Sequence, residues 1–207
     1  MDTLLAYEDL HASVEVITAA LHERDAYTRF HCDRVMRLAQ ALGEACGLSR
    51  AELKTLHLGA VFHDIGKIGV PDAVLLKPGR LTAQEWELMK AHAEQGERIF
   101  RSAALECADE VAPIIRHHHE SFDGSGYPDG LKGEGIPLLC RILLVVDGYD
   151  AMATARSYHR ARSHEEVMQI MESAGRVRPP GGPARAAGPA LAVTCAHNAG
   201  QPRLERW

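Results

Sequence analysis

No two cysteines in this chain have the Cys-x-x-Cys spacing, and the five present (Cys32, Cys46, Cys107, Cys140 and Cys195) make an odd count. Neither a disulfide framework nor a zinc ribbon is therefore expected. No apolar run is long enough to span a bilayer and no secretion signal opens the chain, which points to a soluble protein of the reducing cytoplasm with no membrane role. An excess of one charge is also missing. The net charge is -5 with acids and bases interspersed, which argues against nucleic acid as a large partner. Aromatic residues are scarce, at 5%. Neither an internal repeat nor an alternating strand pattern is found, while Ala and Leu are plentiful, so the expected architecture is all-α. A length of 207 residues suits one domain with short appendages.

Histidine is what the chain has in quantity, with twelve. The organising stretch is His63-Asp64-Ile65-Gly66-Lys67, near the end of an amphipathic run that starts after Leu48. On a helix, adjacent residues point about 100° apart, so His63 and Asp64 cannot both face one ion squarely. They can line the wall of a polymetal site with the Asp bridging. An isolated His-Asp pair is usually just two solvated polar residues; its company changes the reading. Downstream stand His92, then His117-His118-His119-Glu120, then Asp147, on otherwise apolar helical faces. Imidazoles and carboxylates facing a core are costly unless metal or hydrogen bonds satisfy them.

The elements around these residues follow from spacing and caps. Residues 1–24 read as a helix with Leu10, Val14, Ile17 and Leu21 at seam-like spacing, either docking on its own domain or serving as a dimer or input-coupling helix. A helix from about Ala26 to Cys46 ends at Gly47 and carries His31 on the stripe of Val35, Leu38 and Leu42. A His so placed is more often a satisfied core residue than a ligand. Ser49-Arg50-Ala51-Glu52 and Thr82-Ala83-Gln84-Glu85 are capping boxes. The second opens a helix over 83–102 that puts Leu88, His92 and Ile99 on one face. A helix near 105–119 aligns Val111, Ile114, Ile115 and His118. The Gly- and Pro-rich stretch Asp123–Gly130 is a loop. Pro137 starts a helix to about 154 in which Leu143, Asp147 and Ala151 share a face, and Ser163 caps a last short helix.

Collected, His31, His63, Asp64, His92, His118, His119 and Asp147 exceed the ligands that one zinc needs. Mixed nitrogen and oxygen donors suit iron, manganese or zinc. Two metals roughly 3.5–4 Å apart across a bridging carboxylate form a standard device for cleaving phosphate esters, because they neutralise the phosphate and acidify the attacking water.

The order His31…His63-Asp64…Lys67…His92…His118-His119-Glu120…Asp123-Gly-Ser-Gly-Tyr-Pro…Asp147 closely resembles the HD-GYP family, a branch of the HD phosphohydrolases that acts on cyclic dinucleotides. The similarity covers roughly residues 25–175, including Ile68–Lys77 and Leu131-Lys132-Gly133-Glu134. The resemblance implies an HD-like helical domain with a metal site in its core. It makes His31, His63, His92, His118, His119 and Asp147 terminal ligands, Asp64 the bridge, and Lys67 the contact to the scissile phosphate. His117 matches no family ligand. Gly126-Tyr127-Pro128 matches the loop at the mouth of the site, which is associated with partners of the diguanylate cyclase type. The implied cofactor is a pair of divalent ions, iron or manganese first, with zinc, nickel or magnesium as alternatives.

Three departures qualify the resemblance. Some members bind a third metal through a Glu one turn before the first His, where this chain has Tyr27, so two metals are expected. After the last helix Arg156 is kept as a phosphate contact, but His159 replaces a permanent cation, which would make substrate affinity weaker and pH-dependent. The family's Phe-Asp-Pro motif and closing helix are missing. Instead residues 177–207 hold Pro179, Pro180, Pro183, Pro189 and Pro202 with no apolar period, a disordered-type composition. Codons for Val177–Pro183 can be chosen so that dropping one base yields Phe-Asp-Pro-Pro-Val-Val, so the tail reads as a frameshift product. The implied function is hydrolysis of cyclic di-GMP to linear pGpG, with further hydrolysis to GMP left open. The alternatives are a catalytically weakened module that binds the dinucleotide or partners, and a general HD-type nucleotidase.

Overall fold

The computed structural model describes residues 26–154 and 161–173, with Ala19 standing alone before them. Among these residues there are eight α-helices and two short 3-10 helices, and no strand. The expected all-α architecture is what the described residues adopt. Apart from Ala19, the first helix, residues 1–24, lies outside the described residues, as do the tail, residues 177–207, Arg156 and His159.

Helix α1 (Ala26–Ala45) ends as Gly47 turns to φ 75°, the left-handed conformation that glycine adopts at little cost. Helix α2 (Arg50–Phe62) begins at the expected box. Ser49 Oγ accepts the Glu52 N–H at 3.3 Å, and Glu52 accepts the Ser49 N–H at 2.8 Å. The chain then winds into a 3-10 helix, Ile65–Gly69, and a single turn, α3 (Asp72–Leu75).

The helix expected over 83–102 is two helices, α4 (Ala83–Lys90) and α5 (His92–Ser102), with Ala91 between them at ψ -16°. The start of α5 packs closely on the 3-10 helix: a Cβ on Gly66 would run into the carbonyl of His92 and the nitrogen of Gly96. Only glycine lets the 3-10 helix press its backbone on α5 this closely. Leu88, on α4, lies outside the shared face predicted for it. It is exposed, whereas His92 is buried and Ile99 half-buried.

Helix α6 (Ala108–His117) contains Pro113 and ends before His118. Helix α7 (Leu138–Ala153) follows Pro137, and α8 (His164–Ser173) is capped by Ser163, whose Oγ accepts the Glu166 N–H at 3.2 Å.

Two apolar clusters hold these helices together. The larger joins Val35, Leu38 and Leu42 of α1 with Leu56 and Ala60 of α2, Leu143 and Val146 of α7, and Val167 and Met171 of α8. The smaller joins Phe62, Ile65, Phe100, Val111 and Ile115. Ala60 belongs to the first, Phe62 and Ile65 to the second. His63 and Asp64 thus sit in the chain where one core hands over to the other. No described helix is long and apolar enough to cross a membrane.

A candidate metal centre

Six of the seven predicted donors form two groups, with the seventh spanning them. His31, His63 and Asp147 place one donor atom each within 4.8 Å of one another, and so do His92, His118 and His119. Asp64 reaches both groups with different oxygens. Its Oδ2 is 3.4 Å from His63 Nε2 and 4.0 Å from His31 Nε2, while its Oδ1 is 3.7 Å from His92 Nε2.

The backbone sets which ring nitrogen each histidine offers. His63, His92 and His118 bring Nδ1 to 2.7–2.8 Å from the carbonyl three residues earlier, at Ala60, Met89 and Ile115. A carbonyl can only accept, so Nδ1 carries the proton and Nε2 turns its lone pair inward, the form a metal binds. These rings are almost wholly buried. His63 Nε2 makes no hydrogen bond, and an orphaned lone pair at that depth is costly. His92 Nε2 and His118 Nε2 face each other at 3.3 Å. Two lone pairs converging in this way call for a cation between them, and the donor set fits a metal.

Electrostatics agrees. Burial pushes the imidazoles of His92 and His118 below their ordinary range, and that of His119 to about 3. All three are therefore neutral and competent to coordinate at neutral pH. Burial also opposes the charge of Asp64, but Lys67 and His63 outweigh it and hold the carboxyl well below its usual range. His31 behaves differently. Burial works against its charge, yet hydrogen bonds to Asp147 and Asp150 raise it to about 9. Its Nε2 lies 3.1 Å from Asp147 Oδ1, so a metal ion at Nε2 would replace a proton there.

The centre opens on one side. His119 and Asp147 keep 21% and 16% of their side chains exposed, against 1–4% for His31, His63, Asp64 and His92. Their side is where a substrate can enter. Lys67 donates from Nζ to Asp64 Oδ2, the oxygen facing His63 and His31, at 2.6 Å.

Two residues not singled out as site residues support the centre. Asp150, buried, accepts from His31 Nδ1 at 2.7 Å and takes both Nε (2.6 Å) and Nη2 (3.0 Å) of Arg34. It fixes the ring of His31 as a carboxylate behind a coordinating histidine does. Its sequence signal is a second Asp one turn after Asp147. Glu120, wholly buried, accepts the backbone N–H groups of Asp129, Gly130 and Leu131 at 2.7, 3.0 and 2.9 Å. It thereby ties down the Gly-Tyr-Pro loop. Within that loop, a Cβ on Gly126 would strike the backbone of residues 119–121. Tyr127 donates its N–H to the carbonyl of His119 at 3.3 Å, and its ring lies 4.8 Å from the imidazole of His119. His117 belongs to neither donor group and pairs with Asp129 at 2.7 Å.

An all-helical domain that holds one group of three histidines and one of two histidines and an aspartate, joined by the Asp of a His-Asp pair, defines the class of HD metal proteins. The comparisons agree. The family described as HD domain matches residues 14–178, and the chain belongs to that family, in its HD-GYP branch. A cyclic di-GMP phosphodiesterase of Thermotoga maritima is 40% identical over 168 residues, 81% of this chain and 46% of that protein. The cyclic di-GMP phosphodiesterase response regulator RpfG of Xanthomonas campestris is 42% identical over 155 residues, 75% of this chain and 41% of that one. The chain thus spans less than half the length of these relatives. Among solved structures, the HD domain of the Listeria monocytogenes phosphodiesterase PgpH, in complex with cyclic-di-AMP, superposes with a TM-score of 0.66 at 16% identity. The match covers 91% of this chain and 99% of that one, a likeness of fold.

Proposed function

We propose that the chain is a metal-dependent phosphodiesterase that opens cyclic di-GMP to linear pGpG. The observation that carries this reading is the position of Asp64, one oxygen toward each of two three-residue donor groups. His31, His63 and Asp147 would hold one divalent ion, His92, His118 and His119 a second, with Asp64 between. Iron or manganese suits such nitrogen and oxygen donors. When bound, the ions supply charge neutralisation at the phosphate and acidify the attacking water.

The protein's own groups do the rest. Three Nδ1–H to carbonyl bonds keep the rings of His63, His92 and His118 oriented without reorganisation during the reaction. Lys67 is a preorganised cation beside Asp64; we assign it to the scissile phosphate, with Arg156 as a further phosphate contact and His159 as a third. We assign Gly126, Tyr127 and Pro128 to the rim of the site, where Tyr127 lies against His119. Water attacks phosphorus, the bond to the 3′ oxygen breaks, and that oxygen leaves with a proton as the 3′ hydroxyl of pGpG.

The test is to load the purified protein with iron or manganese and supply cyclic di-GMP, 3′3′-cyclic GMP-AMP and cyclic di-AMP in parallel, with chromatography of the products. Formation of pGpG from cyclic di-GMP, abolished by Asp64→Ala, is the expected result. No product above the Asp64→Ala background would refute the reading.

A further inference from the structure

A cavity of about 510 Å³ lies beside the centre, and His119 belongs to both. Its other lining includes Trp86 and Lys90 of α4, Tyr127 of the loop, Met152 of α7, and Ile170 and Met171 of α8. The size is in the range that takes a small organic ligand. Among the described residues no carboxylate lines the cavity itself, and the exposed Glu87 beside it pairs with Lys90 Nζ at 2.8 Å.

Aromatic groups run outward from the centre in sequence. The ring of Tyr127 lies 4.8 Å from that of His119, and Trp86 meets Tyr127 edge-on at 6.0 Å and 82°. Lys90 Nζ is 5.9 Å from the centre of the Tyr127 ring. At the mouth, Trp86 and Ile170 remain 44% and 38% exposed. Large apolar side chains left in water at the rim of a cavity fit a ligand that covers them. A flat indole offers any base a face on which to stack, and a lysine ammonium has three N–H donors, so Lys90 can pair with Glu87 and still donate to the O6 and N7 acceptors that guanine presents.

We infer that this cavity is the subsite for a guanine base of the substrate, with Trp86 as its stacking wall and Lys90 at its acceptor edge. The inference rests on the reading of the chain as a cyclic dinucleotide phosphodiesterase and assigns where a base goes. Neither residue touches the donor groups, so both act on affinity and base choice.

Trp86 reports on itself. The chain has two tryptophans, Trp86 and Trp207, so Trp207→Phe leaves Trp86 as the single indole. Titrating the manganese-loaded Trp207→Phe protein with cyclic di-GMP should quench its fluorescence saturably, and ribose 5-phosphate, which has no base, should not. Trp86→Ala should raise KM for cyclic di-GMP about tenfold or more with kcat within twofold, and Trp86→Phe should restore most of the loss. Lys90→Met should narrow the preference for cyclic di-GMP over cyclic di-AMP. Fluorescence that ignores cyclic di-GMP, or a Trp86→Ala KM within twofold of the parent, would overturn the subsite even if turnover is intact. Quenching without turnover would keep the subsite and refute the phosphodiesterase.

Discussion

Lys67 and Asp64 form a charge-paired hydrogen bond of 2.6 Å on Oδ2, the carboxylate oxygen that faces His63 and His31. The ammonium thus places positive charge at the edge of one donor group without supplying a lone pair to it. Lys67→Ala should leave the metal content unchanged and lower kcat by a factor equivalent to about 2–4 kcal/mol, the scale of one preorganised charge contact. Metal analysis and kcat on the same preparation check this. An unchanged kcat would remove Lys67 from the reaction.

Asp150 holds His31 Nδ1 at 2.7 Å while Arg34 holds Asp150. Asp150→Ala should weaken metal affinity about 10- to 100-fold, the usual effect of losing the carboxylate behind a coordinating histidine. Competition with a chelator measures it. Arg34→Ala should have a smaller effect in the same direction.

Glu120 is a single buried acceptor for three backbone N–H groups. Glu120→Ala leaves three donors without their partner. Hydrogen bonds to a charged acceptor contribute about 1.5–3 kcal/mol each, so a loss of about 3 kcal/mol or more is expected. At about 2–4 °C per kcal/mol for a chain of this size, the melting temperature should fall by roughly 6–12 °C or more. A calorimetric scan decides, and a shift under about 2 °C would mean that the loop does not depend on Glu120.

The difference between what the sequence showed and what it hid is one of range. The seven donors were legible because their order along the chain is distinctive and because His63 and Asp64 are adjacent. The capping boxes at Ser49 and Thr82 were legible because they are local, three residues from end to end. Asp150 was not, because its meaning comes from α1 lying on α7 and bringing together residues 119 positions apart. The break at Ala91 was hidden for a similar reason. Periodicity continues through it, whereas the close approach of Gly66 to His92 and Gly96 is a tertiary contact that no local pattern shows. The role of Glu120 was concealed in the motif that contains it, since nothing in the spacing says that its carboxylate turns toward the N–H groups of residues 129–131. The cavity beside Trp86 draws on α4, α7, α8 and the Gly-Tyr-Pro loop together, and no single stretch announces it.

Gly126 sits against the backbone of residues 119–121. Gly126→Ala should therefore displace the loop, with a stability cost of about 1–3 kcal/mol typical of forced overpacking. KM for cyclic di-GMP should rise, because Tyr127 leaves His119 and the rim changes shape. Thermal melting and steady-state kinetics together check both parts; a variant with parent stability and parent KM would show that the close approach is dispensable.

Elemental analysis of the anaerobically purified protein tests the centre most directly, because two donor groups spanned by Asp64 should hold two ions. The expected result is two equivalents of a transition metal per chain, falling in Asp64→Ala. One equivalent or less in the parent protein, after reloading with iron or manganese, would contradict a binuclear centre.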